Sequence, residues 1–246
     1  MSRLRRASVA GTWYPADPTR LVSHLDGYLE QARIDEPVDQ LRAIVAPHAG
    51  LMYSGPVAAY AYNVARRHQP SALVLVGPSH FVRFRGVAIW PDGDWETPLG
   101  LVRVNGDLAA ALTSATSEII ELPAAHGREH SLEMQMPFVA HVLPGVPIVP
   151  LVMGEQTRAT AFALGGAIAQ VLRAHAPDAL PIASSDLSHY EDATTAASLD
   201  RQVIEQVARL DPEGLMRALE HEPRHACGGG PMVAGLDAAR RFSATP

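Results

Sequence analysis

Apolar positions in this chain fall into runs of two kinds that alternate along it. Short continuous runs occupy residues 42–46, 72–76, 86–90, 101–104 and 179–184 and read as strands. The first lacks the polar alternation of a half-exposed strand, which suits a strand covered on both faces. A further run, 146–153, is crossed by Pro147 and Pro150, so part of it is expected to be unpaired. Longer stretches carry apolar residues at helical spacing. One starts at Asp17-Pro18 and repeats through Leu21, Leu25, Tyr28 and Leu29. A second, 57–67, follows Ser54-Gly55-Pro56, which reads as a cap and a first-turn proline. Others cover 107–113, 157–175, 196–209, 212–220 and 232–241, and Pro137 is expected to kink an amphipathic helix over 131–142. Residues 8–18 read as extended with turns, and 92–98 as a turn-rich excursion. The strand, helix and strand over 42–76 form a β-α-β unit with a right-handed crossover. The pattern predicts an α/β fold with a largely parallel sheet, and the length allows one large domain or two small ones, with no linker to settle which.

Composition narrows the class. Hydrophobic residues make up 47% of the 246 positions and charged ones 19%, the balance of a compact soluble globule. The net charge of −6 comes without a dense basic block, which argues against a nucleic-acid partner; Arg3, Arg5 and Arg6 read as a solvated terminus. Cys227 is the only cysteine, so no internal disulfide can form and a cytoplasmic location is expected. The basic N-terminus is not followed by an apolar signal region, and no run of 18 apolar residues occurs, so no membrane association is expected.

The strand ends carry the chemistry. Three of the runs end in Pro47-His48, Gly77-Pro78-Ser79-His80 and Ser184-Ser185-Asp186-Leu187-Ser188-His189. In an open α/β sheet, ligands bind beyond the carboxyl ends of strands, so these turns aim His48, His80, Asp186 and His189 at one rim. Cys227 stands among Gly228, Gly229 and Gly230 before Pro231, at the expected start of a helix whose dipole favours thiolate. Two imidazoles and a thiolate can hold iron, copper or zinc and leave positions open. Asp186 and His189 read either as a general base or supporting pair beside the metal, or as a helix cap and a surface histidine. The glycine triplet can cradle an anion at a helix start, without any Walker or dinucleotide pattern. Glu129-His130-Ser131-Leu132-Glu133 has the wrong order for the HExxH metalloprotease helix, and reads instead as a helix start with His130 supporting the site from outside. No GxSxG elbow is present. Trp13, Tyr14 and Tyr53 fall in turns, where they either wall a pocket or pack the N-terminal segment on the sheet.

Ala10-Gly11-Thr12-Trp13-Tyr14-Pro15, Ala46-Pro47-His48-Ala49-Gly50, Gly77-Pro78-Ser79-His80, Glu129-His130-Ser131-Leu132-Glu133, Ser184-Ser185-Asp186-Leu187-Ser188-His189 and Cys227-Gly228 together resemble the MEMO family (mediator of ErbB2-driven cell motility). The resemblance implies a fold related to class III extradiol dioxygenases, a central mixed and largely parallel sheet flanked by helices, in a single domain over residues 1–246. It places His48, His80 and Cys227 at the family's metal positions, Asp186 and His189 in the same pocket, and Trp13 and Tyr53 at positions linked to ligand binding. It implies a non-haem metal-dependent redox protein, an oxygenase or oxidase using iron(II), with copper or zinc as other occupants and a small molecule or peptide as substrate. His189 is the expected acid or base and Asp186 its partner. The alternative is a binding module for a peptide or phospho-ligand with a vestigial pocket. Two departures stand out: Gly229 and Gly230 replace an Arg-His pair, which predicts weaker phosphate recognition and a more open pocket, and the chain stops at Pro246, short of its relatives. An uncovered sheet edge there would favour a homo-oligomer.

Overall fold

The computed structural model describes residues 3–34 and 41–244; Pro246, on which the reading of a shortened terminus rests, lies outside them. After β1 (Leu4–Arg5), α1 (Pro18–Gln31) begins at an Asp17 cap whose carboxylate accepts from the Arg20 backbone N–H, and it buries Leu21, Leu25 and Leu29. Each such leucine contributes roughly 1.5–3 kcal/mol when fully removed from water. Then come β2 (Ile44–Ala46), α2 (Leu51–His68), β3 (Leu73–Pro78), β4 (Val87–Ile89), β5 (Asp94–Thr97), β6 (Gly100–Arg103), α3 (Gly106–Ala115), β7 (Ile119–Glu121) and α4 (Pro123–Gly127). The chain continues through α5 (Met136–Val142), β8 (Ile148–Met153), α6 (Arg158–His175), β9 (Leu180–Ser184), α7 (Ala193–Ala208), α8 (Pro212–His221) and α9 (Gly229–Arg241).

A six-stranded sheet has the order β2-β9-β3-β8-β4-β7 and is parallel except where β4 meets β8. Its strands feed two cores. Val74 and Val76 of β3 pack with residues of α3, α6, α8 and α9, while Leu73 and Leu75 pack with residues of α1, α2 and α5. The sheet is thus sandwiched between helices, which is why its strands are apolar on both faces. β1, β5 and β6 form a separate small sheet, so the expected excursion over 92–98 holds a strand of a hairpin. Among the described residues no helix is long and apolar enough to cross a membrane.

The strands flanking α2 are parallel, with β9 inserted between them. Several expectations need correction. α2 starts at Leu51, with Pro56 inside it. Ser54 is no cap; its hydroxyl donates to the Ala49 carbonyl at 2.7 Å. Pro137 does not kink a helix but opens α5, after a 3-10 turn over Glu133–Gln135, because a first-turn proline lacks only an N–H that has no intrahelical partner anyway. Pro150 is paired within β8 opposite Leu75. Its carbonyl accepts from the Trp90 N–H, so its own missing N–H points to the same edge, just beyond the end of β4.

Candidate metal centre

β2, β9 and β3 are adjacent and parallel, so their carboxyl ends deliver His48, Asp186 and His80 to one rim. The turn before α9 brings Cys227 to them, its N–H donating to the Asp186 carbonyl at 3.3 Å. Cys227 Sγ lies 3.2 Å from His48 Nε2, and one ligand atom from each of His48, His80 and Cys227 falls within 4.8 Å of the others. Both imidazoles are held from behind. His48 Nδ1 is 2.9 Å from Ser184 Oγ, and His80 Nδ1 is 2.9 Å from Glu129 Oε1. Such Nδ1 contacts leave Nε2 free to ligate, the arrangement typical of metal-bound histidines.

The electrostatics reinforce this. Burial alone would raise the Cys227 thiol, but hydrogen bonds to His48 and His80 outweigh it and bring its pKa down to about 6. Burial lowers His80, yet Cys227 and Glu129 together carry it up to about 9. Glu129 is pushed up by burial and pulled down further by His80 and the backbone N–H groups of His80 and Ser131, settling at about 2. A thiolate and an ionised carboxylate therefore bracket His80. His130 is kept neutral, at about 4, chiefly by burial; it lies between Trp13 and His80, with ring centroids 4.3 and 4.4 Å away.

Asp186 and His189 do not lie on a helix, since the first helix after them is α7, capped by Asp192. Asp186 Oδ1 accepts from the backbone N–H groups of His48 at 2.7 Å and Ala49 at 3.2 Å. Its Oδ2 faces the cavity, 3.9 Å from His48 Nε2 and 3.8 Å from His189 Nε2. The two residues thus meet as loop side chains above the His48 and Cys227 pair.

A cavity of about 800 Å³ opens over these groups, with Trp13, Met52, Tyr53 and Tyr190 on its walls. Trp13 and Tyr53 are 38% and 74% exposed, so they wall the cavity rather than support the core. Tyr14 does not; it is buried, and its hydroxyl donates to Glu133 at 2.8 Å. Gly229 and Gly230 do not widen the cavity either. Both are buried, and a Cβ at either would come within 2.6 Å of Leu219 or Met153. Nor is the α9 start open to an anion, because Gly228 N–H donates to Ser185 Oγ and Gly230 N–H to Gln156 Oε1.

The two carboxylates of the 129–133 stretch have separate tasks that its sequence does not separate. Glu129 holds His80, while Glu133 fastens the N-terminal segment by accepting from Arg5, Ser8, Val9 and Tyr14. That segment carries Trp13, whose carbonyl accepts from the Leu51 N–H at the start of α2. Glu129, Ser184 and Gln135 escaped sequence reading because nothing near them in the chain marks their distant partners.

Fold and site define an α/β protein whose strand ends converge on a His/His/Cys group able to hold a metal ion. Residues 5–245 match the model of the family described as Memo-like protein, and the chain belongs to that family. A MEMO1 family protein of Caldivirga maquilingensis is 34% identical over 249 residues, covering 98% of this chain and 88% of the relative. One from Thermotoga maritima is 39% identical over 243 residues, covering 95% and 87%. The solved structure of an uncharacterized protein from Escherichia coli K12 aligns at 20% identity and a TM-score of 0.46, covering 71% of this chain and 81% of that one.

Proposed function

We propose that the protein is a metal-dependent oxidoreductase in which His48 and His80 and the Cys227 thiolate hold iron(II), with copper or zinc as competing occupants. The observation that carries this reading is the convergence of three ligand atoms within 4.8 Å, with both Nδ1 atoms already engaged. The donors fit the group, since two imidazoles and a thiolate suit a borderline metal and the cavity leaves its remaining positions open. When bound, iron would supply one-electron chemistry with dioxygen.

The chain's own residues would do the rest. His189 Nε2 accepts a proton from the substrate, and Asp186 Oδ2, 3.8 Å away, stabilises the imidazolium that forms. Trp13 and Tyr53 hold a flat apolar or aromatic substrate over the centre and keep water from it. Among the described residues the cavity lining includes no lysine or arginine to bind a phosphate, and its one raised imidazole, His80, is already engaged by Glu129. This favours the enzyme over the phospho-ligand module.

The test is metal analysis of protein purified without oxygen, comparing wild type with Cys227→Ser and His48→Ala. Stoichiometric metal in the wild type and a loss in both variants is the expected result. Unchanged metal content in both would sink the ligand set, and oxygen uptake with no substrate tested would leave only the metal-binding part of the reading standing.

A further inference from the structure

His48 stands at the end of a buried hydrogen-bond chain in which the acceptors dictate where each proton lies. Tyr62, Gln135, Ser131 and Ser184 are fully buried, and His48 nearly so. Gln135 Nε2 lies 3.0 Å from the Pro47 carbonyl and 2.8 Å from Ser184 Oγ, while Gln135 Oε1 lies 2.9 Å from the Tyr62 hydroxyl. A carbonyl only accepts, so the amide nitrogen must face Pro47, and Tyr62 must donate to Oε1. Ser184 therefore accepts from Gln135. Its single proton goes to the Ser131 carbonyl, 2.7 Å away. One contact of Ser184 remains, His48 Nδ1 at 2.9 Å, and with its proton already spent the hydroxyl can only accept there. His48 must then carry its proton on Nδ1.

We propose that Ser184 and Gln135 are positioning residues that hold His48 with Nδ1 protonated and Nε2 directed at the metal position beside Cys227. The proposal rests on the metal-centre reading above. Reversing the chain so that Ser184 donates to His48 would deprive the Ser131 carbonyl of its 2.7 Å bond and take the proton off Nδ1. A buried acceptor left without a donor is costly, so the surrounding backbone keeps a proton on Nδ1 and leaves Nε2, the nitrogen that faces Cys227, as the one to ligate. Two further details fit. Gln135 bonds the carbonyl of Pro47, whose peptide leads directly into His48. Tyr62, which fixes the Gln135 amide, is itself stacked on Phe138 with ring centroids 4.9 Å apart.

The experiment measures cobalt(II) affinity by competition with a chromophoric chelator, on metal-free wild type, Ser184→Ala, Ser184→Thr and Gln135→Met, alongside thermal melting of each without metal. Ser184→Ala is expected to weaken cobalt(II) binding about 10–100-fold, the usual cost of losing a group that orients a ligand. The thiolate-to-cobalt absorption should persist, because Cys227 is untouched. Gln135→Met should weaken binding less, and Ser184→Thr, which keeps the hydroxyl, should bind more tightly than Ser184→Ala. Lowered melting temperatures with unchanged cobalt(II) affinity would overturn the proposal and leave these residues a purely structural role. Should Ser184→Ala fail to fold, Gln135→Met decides, and wild-type affinity in that variant overturns the proposal. A wild type that binds no cobalt(II) removes the metal reading and this inference with it.

Discussion

Replacing Glu133 by glutamine probes the clamp that holds the N-terminal segment, and with it Trp13, over the cavity. Arg5 and Glu133 form an ion pair with side chains only 2% and 0% exposed. The guanidinium also donates to the carbonyls of His126 and Glu129 and lies 4.6 Å over the Trp95 ring. Glu133 accepts in addition from Ser8 Oγ at 2.7 Å and from the Val9 N–H at 2.9 Å. Its acceptor capacity is filled by donors, so an amide nitrogen in its place would face other N–H or O–H groups. Removing one partner of a buried pair costs about 3–5 kcal/mol, and glutamine keeps one accepting oxygen, which places the expected loss near the lower bound. At roughly 2–4 °C per kcal/mol for a chain of this size, melting should fall by roughly 6–12 °C.

Urea unfolding of wild type and Glu133→Gln, both metal-free, measures the difference directly, and its pH dependence tests the cause. Burial raises the Glu133 carboxyl, but Arg5 and the Ser8 and Val9 donors outweigh it and hold it below its ordinary value of 4.5. A depressed carboxyl contributes stability that is present above 4.5 and lost as pH falls through its folded value. The gap between the two proteins should therefore be full at neutral pH and narrow as pH drops below 4.5. A loss under about 1 kcal/mol at neutral pH, the range of an exposed ion pair, would refute the reasoning. So would a gap that stays constant on acidification.

The remaining expectations concern the site itself. Glu129→Gln should weaken metal binding about 10–100-fold by releasing His80, as read by chelator competition. In the metal-free protein its stability deficit should be largest between pH 4.5 and 6.5, above the unfolded value of Glu129 and below that of His80, where both groups are charged even when unfolded and the folded pair's stabilisation is expressed in full. It should shrink as pH falls toward about 2 or rises through about 9, and a flat profile in urea unfolding would count against the pair. Gly228→Ala would put a Cβ 2.4 Å from the Ser184 carbonyl oxygen. Overpacking of that kind costs about 1–3 kcal/mol and should shift Cys227, so both urea stability and metal content should fall. Tyr53→Ala should leave stability within about 0.5 kcal/mol, because its side chain is largely exposed, yet weaken an aromatic probe such as catechol roughly 2–12-fold by calorimetric titration. Equal affinity for that probe would remove Tyr53 from the wall.

What was legible from the sequence, and what was not, follows from the range over which each feature is encoded. His48, His80 and Asp186 were placed at one rim because each follows a buried strand, and a parallel sheet gathers the ends of its strands. Pairing order was out of reach, since β9 enters between β2 and β3 although it lies more than a hundred residues further along the chain. The start of α2 is misleading in the sequence because Ser54-Gly55-Pro56 has the local form of a cap, while the Leu51 N–H donation to the Trp13 carbonyl that accompanies the true start involves another segment. The glycines after Cys227 mislead for the same reason. Standing where the family resemblance implies an Arg-His pair, they suggest openness, but Leu219 and Met153 crowd them. Residues able to bear ligands announce themselves by type, whereas the groups that aim them, such as Ser184 behind His48 and Glu129 behind His80, are ordinary until the fold supplies their partners. It follows that variants of Ser184, Gln135 and Glu129 will separate this chain's metal chemistry from its folding more sharply than further variants of the ligands, because they change the aim of an imidazole while leaving all three ligand side chains in place.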